Sequence, residues 1–280
     1  MATTTWDPGQ YARFSDHRAR PFGDLLARVG ADEARLVVDL GCGNGPLTLT
    51  LADRWPGARV VGVDSSPQML DAARSLDRDG RVEWVEADLS AWDLGSLGGA
   101  PDVVVSNATL QWVPGHRDLL RAWAAALAPG GWLAVQVPGN LDAPSHRLMR
   151  EVAAAHPAAN RLRPALERLS VGEPAGYVEL FAAAGLVVDA WETTYQHVLD
   201  PEGVQASPVL EWVRGTGLRP VLEALPDARE RAAFLAEYDA RLREAYPRTA
   251  VGVVFPFRRI FCVGHSAGSA PSGDSAASAG

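Results

Sequence analysis

The residues best suited to chemistry in this chain are three acids and a run of glycines. Asp39-Leu-Gly-Cys-Gly-Asn-Gly45 puts glycines at 41, 43 and 45 behind an apolar run, Leu36–Leu40. Asp64 closes a second such run from Ala58, and Asp88-Leu89 closes a third from Arg81. Glycines at such a turn let a ligand approach the backbone, and the helical pattern from Leu47 to Trp55 adds N–H groups at its start. An acid at the tip of the second strand can accept both hydroxyls of a ribose. A dinucleotide fingerprint would need a third glycine where Pro46 stands, and a Walker loop would need a lysine. All 26 Lys-plus-Arg positions are arginine. A cationic pocket here must therefore use guanidinium forks, which suit carboxylates.

The elements that must position these groups follow from periodicity. Apolar β-branched runs read as buried parallel strands, and the stripes between them read as helices. Ser66-Pro67 caps the second helix, whose stripe begins at Met69 and whose approach includes Ser65. Pro101–Asn107 is a fourth strand, and Asn107-Ala-Thr-Leu-Gln-Trp112 opens beyond its end, where an open parallel sheet binds ligands. This makes Asn107, Gln111 and Trp112 candidate contacts. Trp132–Pro138 is strand five, so strand and helix alternate five times, as in a parallel sheet covered on both faces.

Beyond strand five the pattern changes. Residues 139–173, with His146, read as a helical insertion beside the site, and 200–250 read as helical again. Leu186–Leu199 is a long strand that puts Thr193, Tyr195 and His197 on one face. Val251–Val263 is the last strand. Pro256 in it fits an edge or a bulge, and Arg258 and Arg259 must point to opposite faces. Residues 1–32 suggest a helical flap whose Tyr11, Arg18 or Arg20 reaches the site. Residues 265–280 lack periodicity and are expected to be disordered. Residues 33–264 form the main domain, with the two insertions as its cap.

A chain of 280 residues with a hydrophobic fraction of 47% can bury a large core, and a net charge of −8 argues against a nucleic-acid partner. No apolar run is long enough to span a bilayer, and no signal peptide is visible. Cys42 and Cys262 have no metal-ligand spacing, so no metal site is expected and a reducing cytoplasm is. The oligomeric state, monomer or dimer, is left open.

The glycine turn with Asp64 and Asp88 resembles the cofactor site of class I S-adenosylmethionine (SAM) methyltransferases. More specifically, Trp6-Asp-Pro, Phe14-Ser-x-x-Arg-x-Arg-Pro-Phe22, Asp39-Leu-Gly-Cys-Gly, Asp64-Ser-Ser-Pro, Leu110-Gln-Trp-Val-Pro, Val135-Gln-Val-Pro-Gly-Asn, Thr193-Thr-Tyr-x-His, Arg214-x-Thr-Gly-Leu-Arg-Pro220 and Phe255-Pro-Phe-Arg-Arg-Ile-Phe together resemble the trans-aconitate 2-methyltransferase family over residues 6–263. Asn44-Gly45-Pro46 departs from the family, where Pro-Gly is more usual, and 151–172 matches weakly.

The resemblance implies a Rossmann-like α/β fold: a seven-stranded, mostly parallel sheet with an antiparallel final strand, helices on both faces and a helical cap. It implies SAM held by Tyr11, Arg20, Asp39, Gly41, Cys42, Gly43, Asp64, Ser65, Met69, Asp88, Leu89 and Asn107. It also implies a polycarboxylate acceptor met by Arg18, Gln111, Trp112, His146, Tyr195, His197, Arg258 and Arg259. Methyl transfer to an already ionised carboxylate needs no general base, so Tyr195, His197 and Trp112 are expected to position it. Other readings are transfer to another small acid, a SAM-binding module without activity, and a nicotinamide oxidoreductase, against which Pro46 counts.

Overall fold

The computed structural model describes residues 15–167 and 171–268, with only the backbone of 15–18 and 167. Helix α1 spans Ser15–Leu26, β1 Leu36–Leu40, α2 Pro46–Arg54, β2 Arg59–Asp64, α3 Pro67–Leu76, β3 Val82–Glu86, β4 Val103–Asn107, α4 His116–Ala126 and β5 Trp132–Pro138. There follow α5 Pro144–Ala155, α6 Ala159–Glu167, α7 Pro174–Ala183, β6 Leu186–Leu199, α8 Pro208–Arg214, α9 Arg219–Glu223, α10 Ala228–Ala245, β7 Arg248–Thr249 and β8 Gly252–Ser266. Short 3-10 turns cover Leu94–Leu97 and Leu110–Trp112.

The strands join in one sheet of order β3-β2-β1-β4-β5-β8-β6, with the two-residue β7 hairpinned onto β8. β1 to β5 pair in parallel, and β8 lies antiparallel between β5 and β6. Strand order reverses between β1 and β4, the point at which such sheets open a ligand crevice. β1 is buried along its whole length, as its Val/Leu content demands.

One face packs under α1 and α2, joining Phe22, Leu25, Leu51 and Trp55 to Val37, Val105, Ala134 and Phe261. The other packs under α4 and α7, joining Leu120, Trp123, Tyr177 and Phe181 to Val38, Leu40, Val104 and Ile260. A third core binds the two insertions to each other. Met149, Val152, Leu162, Phe234 and Tyr238 surround Trp212, and Phe255 and Phe257 of β8 complete it.

Several expectations are corrected. The last strand continues to Ser266, whose N–H bonds the Gly131 carbonyl at 2.9 Å, so chain expected in the tail is sheet. The rest of that tail, 269–280, and residues 1–14 lie outside the described residues. β8 is internal to the sheet, yet Pro256 still has an open flank. β5 pairs with β8 only as far as Pro138 opposite Arg259, and β6 alone accompanies it through Gln196 opposite Pro256. The described part of the expected flap is helical, as the sequence suggests, with Phe22, Leu25 and Leu26 buried against the sheet. Among the described residues no helix is long and apolar enough to cross a membrane.

Candidate functional site

The glycine turn is shaped by contacts that only glycine permits. Gly41 sits at φ +86, and a Cβ there would lie 2.0 Å from the Thr109 hydroxyl. Gly43, at φ +56, faces open space, with nothing within 4 Å of where its Cβ would be. The Gly41 and Cys42 N–H groups both donate to the Val63 carbonyl, at 2.8 and 3.0 Å. Gly45 donates to the Cys42 carbonyl at 3.2 Å. The turn is thus not a cradle of N–H groups for phosphate. What it presents is carboxylate. Asp64 Oδ2 accepts the Gly43 N–H and Oδ1 the Ser66 N–H, each at 2.9 Å. Each oxygen keeps a further lone pair for a hydroxyl donor. Burial raises the Asp64 carboxyl above its usual range, against the pull of these backbone bonds.

Other expected cofactor residues divide by position. Asp39 is 3% exposed and accepts the Thr48 hydroxyl at 2.6 Å, which tethers α2 beneath the turn. Burial lifts its carboxyl to about 7, the Thr48 bond opposing and the charge of Asp64 adding. Cys42 is buried, its Cβ against Gly62 and its thiol donating to the Gly43 carbonyl at 3.8 Å, and burial pushes that thiol up. Ser65 is exposed beside Asp64, Met69 is buried at the start of α3, and Leu89 is buried in the α4/α7 core. Asp88 is exposed and accepts both the Ser90 hydroxyl and its N–H, which hold its pKa low. Tyr11 and the side chain of Arg18 lie outside the described residues.

The end of β4 joins this turn to the rest of the sheet. The Thr109 hydroxyl reaches the Gly41 carbonyl at 3.3 Å and the Asn107 carbonyl at 3.2 Å. Ala108 takes φ 55, a left-handed conformation costly for a residue with a Cβ, and the Gln111 amide steadies it by donating to its carbonyl at 2.6 Å. Gln111 therefore faces inward. Trp112 is half-buried at the end of the 3-10 turn. Asn107 pairs with Gln136 of β5, and the Asn107 Oδ1 is buried without a hydrogen-bond partner among the described residues.

Beyond Gln136 the same face becomes cationic and aromatic. Arg259, 4% exposed, donates to Gln136 Oε1 at 3.3 Å and lies 4.3 Å over the Phe257 ring. Tyr195 donates to Asp24 of α1 at 2.6 Å, and Arg20 lies 5.0 Å over its ring. His197 stacks between Tyr195 and Trp212, with ring centroids 6.1 and 4.9 Å away.

Arg258 points to the opposite face. It donates to Glu173 and Glu192 and to the Gly139 carbonyl, and the two carboxylates raise its pKa. The structure thus separates Arg258 from the group formed by Arg20, Tyr195, His197 and Arg259. His146 is half-buried beside the Ser145 hydroxyl, 3.3 Å away, and burial with Arg150 nearby depresses it to about 4. It is neutral at neutral pH and adds no charge for an anion.

Gln136, Asp24 and Thr109 are not among the expected site residues. Gln136 and Thr109 lie inside the segments Val135-Gln-Val-Pro-Gly-Asn and Asn107-Ala-Thr-Leu-Gln-Trp112, and Gln136 is the sole polar residue of the run Trp132–Pro138.

Comparison with known proteins points the same way. Residues 37–131 match the family model described as "Methyltransferase domain". The trans-aconitate 2-methyltransferase of Streptomyces avermitilis is 53% identical over 272 residues, 94% of this chain and 98% of the relative. The Streptomyces coelicolor protein of the same name is 53% identical over 268 residues, 92% of this chain and 86% of the relative. Among solved structures, the YcgJ protein of Bacillus subtilis superimposes with a TM-score of 0.54 at 14% identity, over 90% of this chain and 99% of that one, a likeness of fold.

Proposed function

The chain belongs to the trans-aconitate 2-methyltransferase family, and from that premise we propose that it methylates a carboxylate of trans-aconitate at the crevice between the glycine turn and Arg259. The turn fits SAM on three counts. Asp64 offers two carboxylate oxygens, each already oriented by one backbone N–H. Space is open over Gly43. Asn107 Oδ1 is a buried acceptor without a hydrogen-bond partner among the described residues. Asp64 would take the ribose hydroxyls, Met69 and Asp88 the adenine, and Asn107 the methionine end. When bound, SAM supplies an electrophilic methyl group.

The acceptor asks little of the protein in proton chemistry. A carboxyl group with a pKa near ~4 is already ionised at neutral pH, so no base is needed to make the nucleophile. The protein's task is to hold a polyanion in register. Arg259 supplies a buried guanidinium, with the His197 and Tyr195 rings beside it. Arg20, from α1, brings a second cation over the face of Tyr195. Alignment of reacting atoms to within ~3–3.5 Å is where such a site gains rate, and side chains locked by stacking and hydrogen bonds keep that alignment. The single observation that carries this reading is a buried arginine on the same sheet face as the glycine turn, two strands from Asn107. The net charge of −8 supports a free small acid over nucleic acid as partner. Two buried free thiols support a reducing, cytoplasmic setting.

The test is transfer itself. Incubation with methyl-labelled SAM and a panel of di- and tricarboxylates, followed by mass spectrometry, yields the monomethyl ester of trans-aconitate as the main product. Labelling of another acid, with trans-aconitate untouched, would move the substrate elsewhere. No labelled ester at all would end the reading.

A further inference from the structure

Gln136 is a polar side chain in the deepest part of the sheet. It is 0% exposed, within a strand otherwise built of Trp, Leu, Ala, Val and Pro. Its Oε1 accepts from Arg259 Nη1 at 3.3 Å, and its Nε2 is buried without a hydrogen-bond partner among the described residues. Its neighbour across the parallel pairing, Asn107, carries the complementary buried acceptor. An amide N–H left unsatisfied in a core is costly, and native structures seldom keep one without a use. An apolar side chain would fill this position without that cost. Gln136 also stands midway between Asn107, next to the glycine turn, and Arg259.

We propose that Gln136 determines acceptor specificity: with Arg259 it forms a two-residue clamp for a carboxylate of the acceptor that is not methylated. Its carbonyl oxygen fixes the guanidinium, and its amide N–H adds a neutral donor to the same anion. This rests on the reading of the acceptor as a polycarboxylate. The clamp works through charge and geometry, so it selects acids with a second carboxylate at a set distance from the reacting one.

Three variants test it: Gln136→Met, which keeps the volume, Gln136→Leu and Gln136→Glu. Trans-aconitate binding is measured by calorimetry with S-adenosylhomocysteine present, alongside KM and kcat. Met and Leu weaken acceptor binding and raise KM by about tenfold or more, as loss of a bond to a charged group implies. SAM affinity stays near wild type, and the loss on a monocarboxylate acceptor is smaller than the loss on trans-aconitate. Gln136→Glu is the most damaging to acceptor binding, because a carboxylate would face a carboxylate. If Gln136 served only to orient Arg259, Glu would do so at least as well. A Gln136→Glu protein that binds trans-aconitate like wild type therefore overturns the proposal, as does an equal loss with mono- and polycarboxylates. If wild type itself binds no di- or tricarboxylate, the reading of the acceptor fails and takes the clamp with it. If wild type binds it and all three variants match wild type, only the clamp fails.

Discussion

Arg258 and Arg259 are adjacent in sequence, but their surroundings give them different work. Arg258 lies in a partly exposed network with Glu173 and Glu192, and such pairs contribute about 0–1 kcal/mol each. Arg259 is buried over Phe257 and bonded to Gln136. Arg259→Ala should raise the KM for trans-aconitate about tenfold to a hundredfold, since a charge-assisted bond contributes roughly 1.5–3 kcal/mol. Arg258→Ala should leave that KM close to wild type, and steady-state kinetics on the two variants decides. Asp64→Ala should weaken SAM binding by about tenfold or more on the same grounds, read by calorimetry.

Asp39 gives a signed pH effect. Its folded carboxyl titrates near 7 against an ordinary 3.8, so between those values the folded chain holds a proton that the unfolded chain has lost. Stability from this group is full below the lower value and falls as pH rises through the window. Asp64, also raised, acts in the same direction. Asp39→Asn should flatten the decline in melting temperature between pH 5 and pH 7 that wild type shows, a range set by the linkage relation.

Residue types near the turn were legible in the sequence, but partners were not. Nothing in Asp39-x-Gly-x-Gly announces that Thr48 will close over the carboxylate. Parity says that Arg258 and Arg259 part company. Which one meets the glutamates depends on α7 and β6, 85 and 66 residues away.

Among the elements, β6 and β8 carry the account. They outrun β5, and their overhang, Tyr195 to Leu199 against Phe257 to Val253, forms one wall of the cap core. Trp212 of α8 packs there against His197, Phe255 and Phe257. Trp212→Ala should cost about 3–5 kcal/mol of stability, the usual range for emptying so large a buried site. It should also raise the acceptor KM while sparing SAM affinity, because the turn lies over the other half of the sheet. Denaturant unfolding together with SAM titration checks both halves of that outcome. Elements were the most readable level. β1, β2 and β4 announce themselves as Val-rich runs ending at or beside an Asp or Asn, and Ser66 marks the start of α3 as a cap. The extension of β8 to Ser266 was hidden, because Gly264-His-Ser looks like a loop until Gly131 supplies its partner.

For the whole molecule, the topology brings the glycine turn and Arg259 to one face of the sheet. The strand order reverses between β1 and β4 beside the turn, and the antiparallel return of β8 beside β5 brings Arg259 to Gln136 across 123 residues of sequence. No local pattern encodes that contact, which is why Gln136 reads as a stray polar residue until the sheet is assembled. On the proposed reading, the molecule so built would hold an acceptor that arrives charged, with cations, amides and rings around it and no residue needed as a base. The most direct test is kcat as a function of pH, at saturating SAM and trans-aconitate, for wild type and Gln substituted at His197. A profile flat from about pH 6 to pH 9, well above carboxylate pKa values and with or without the imidazole, is what the account predicts. A rate that climbs with a single ionisation near the ordinary histidine range and loses that climb in His197→Gln would contradict it.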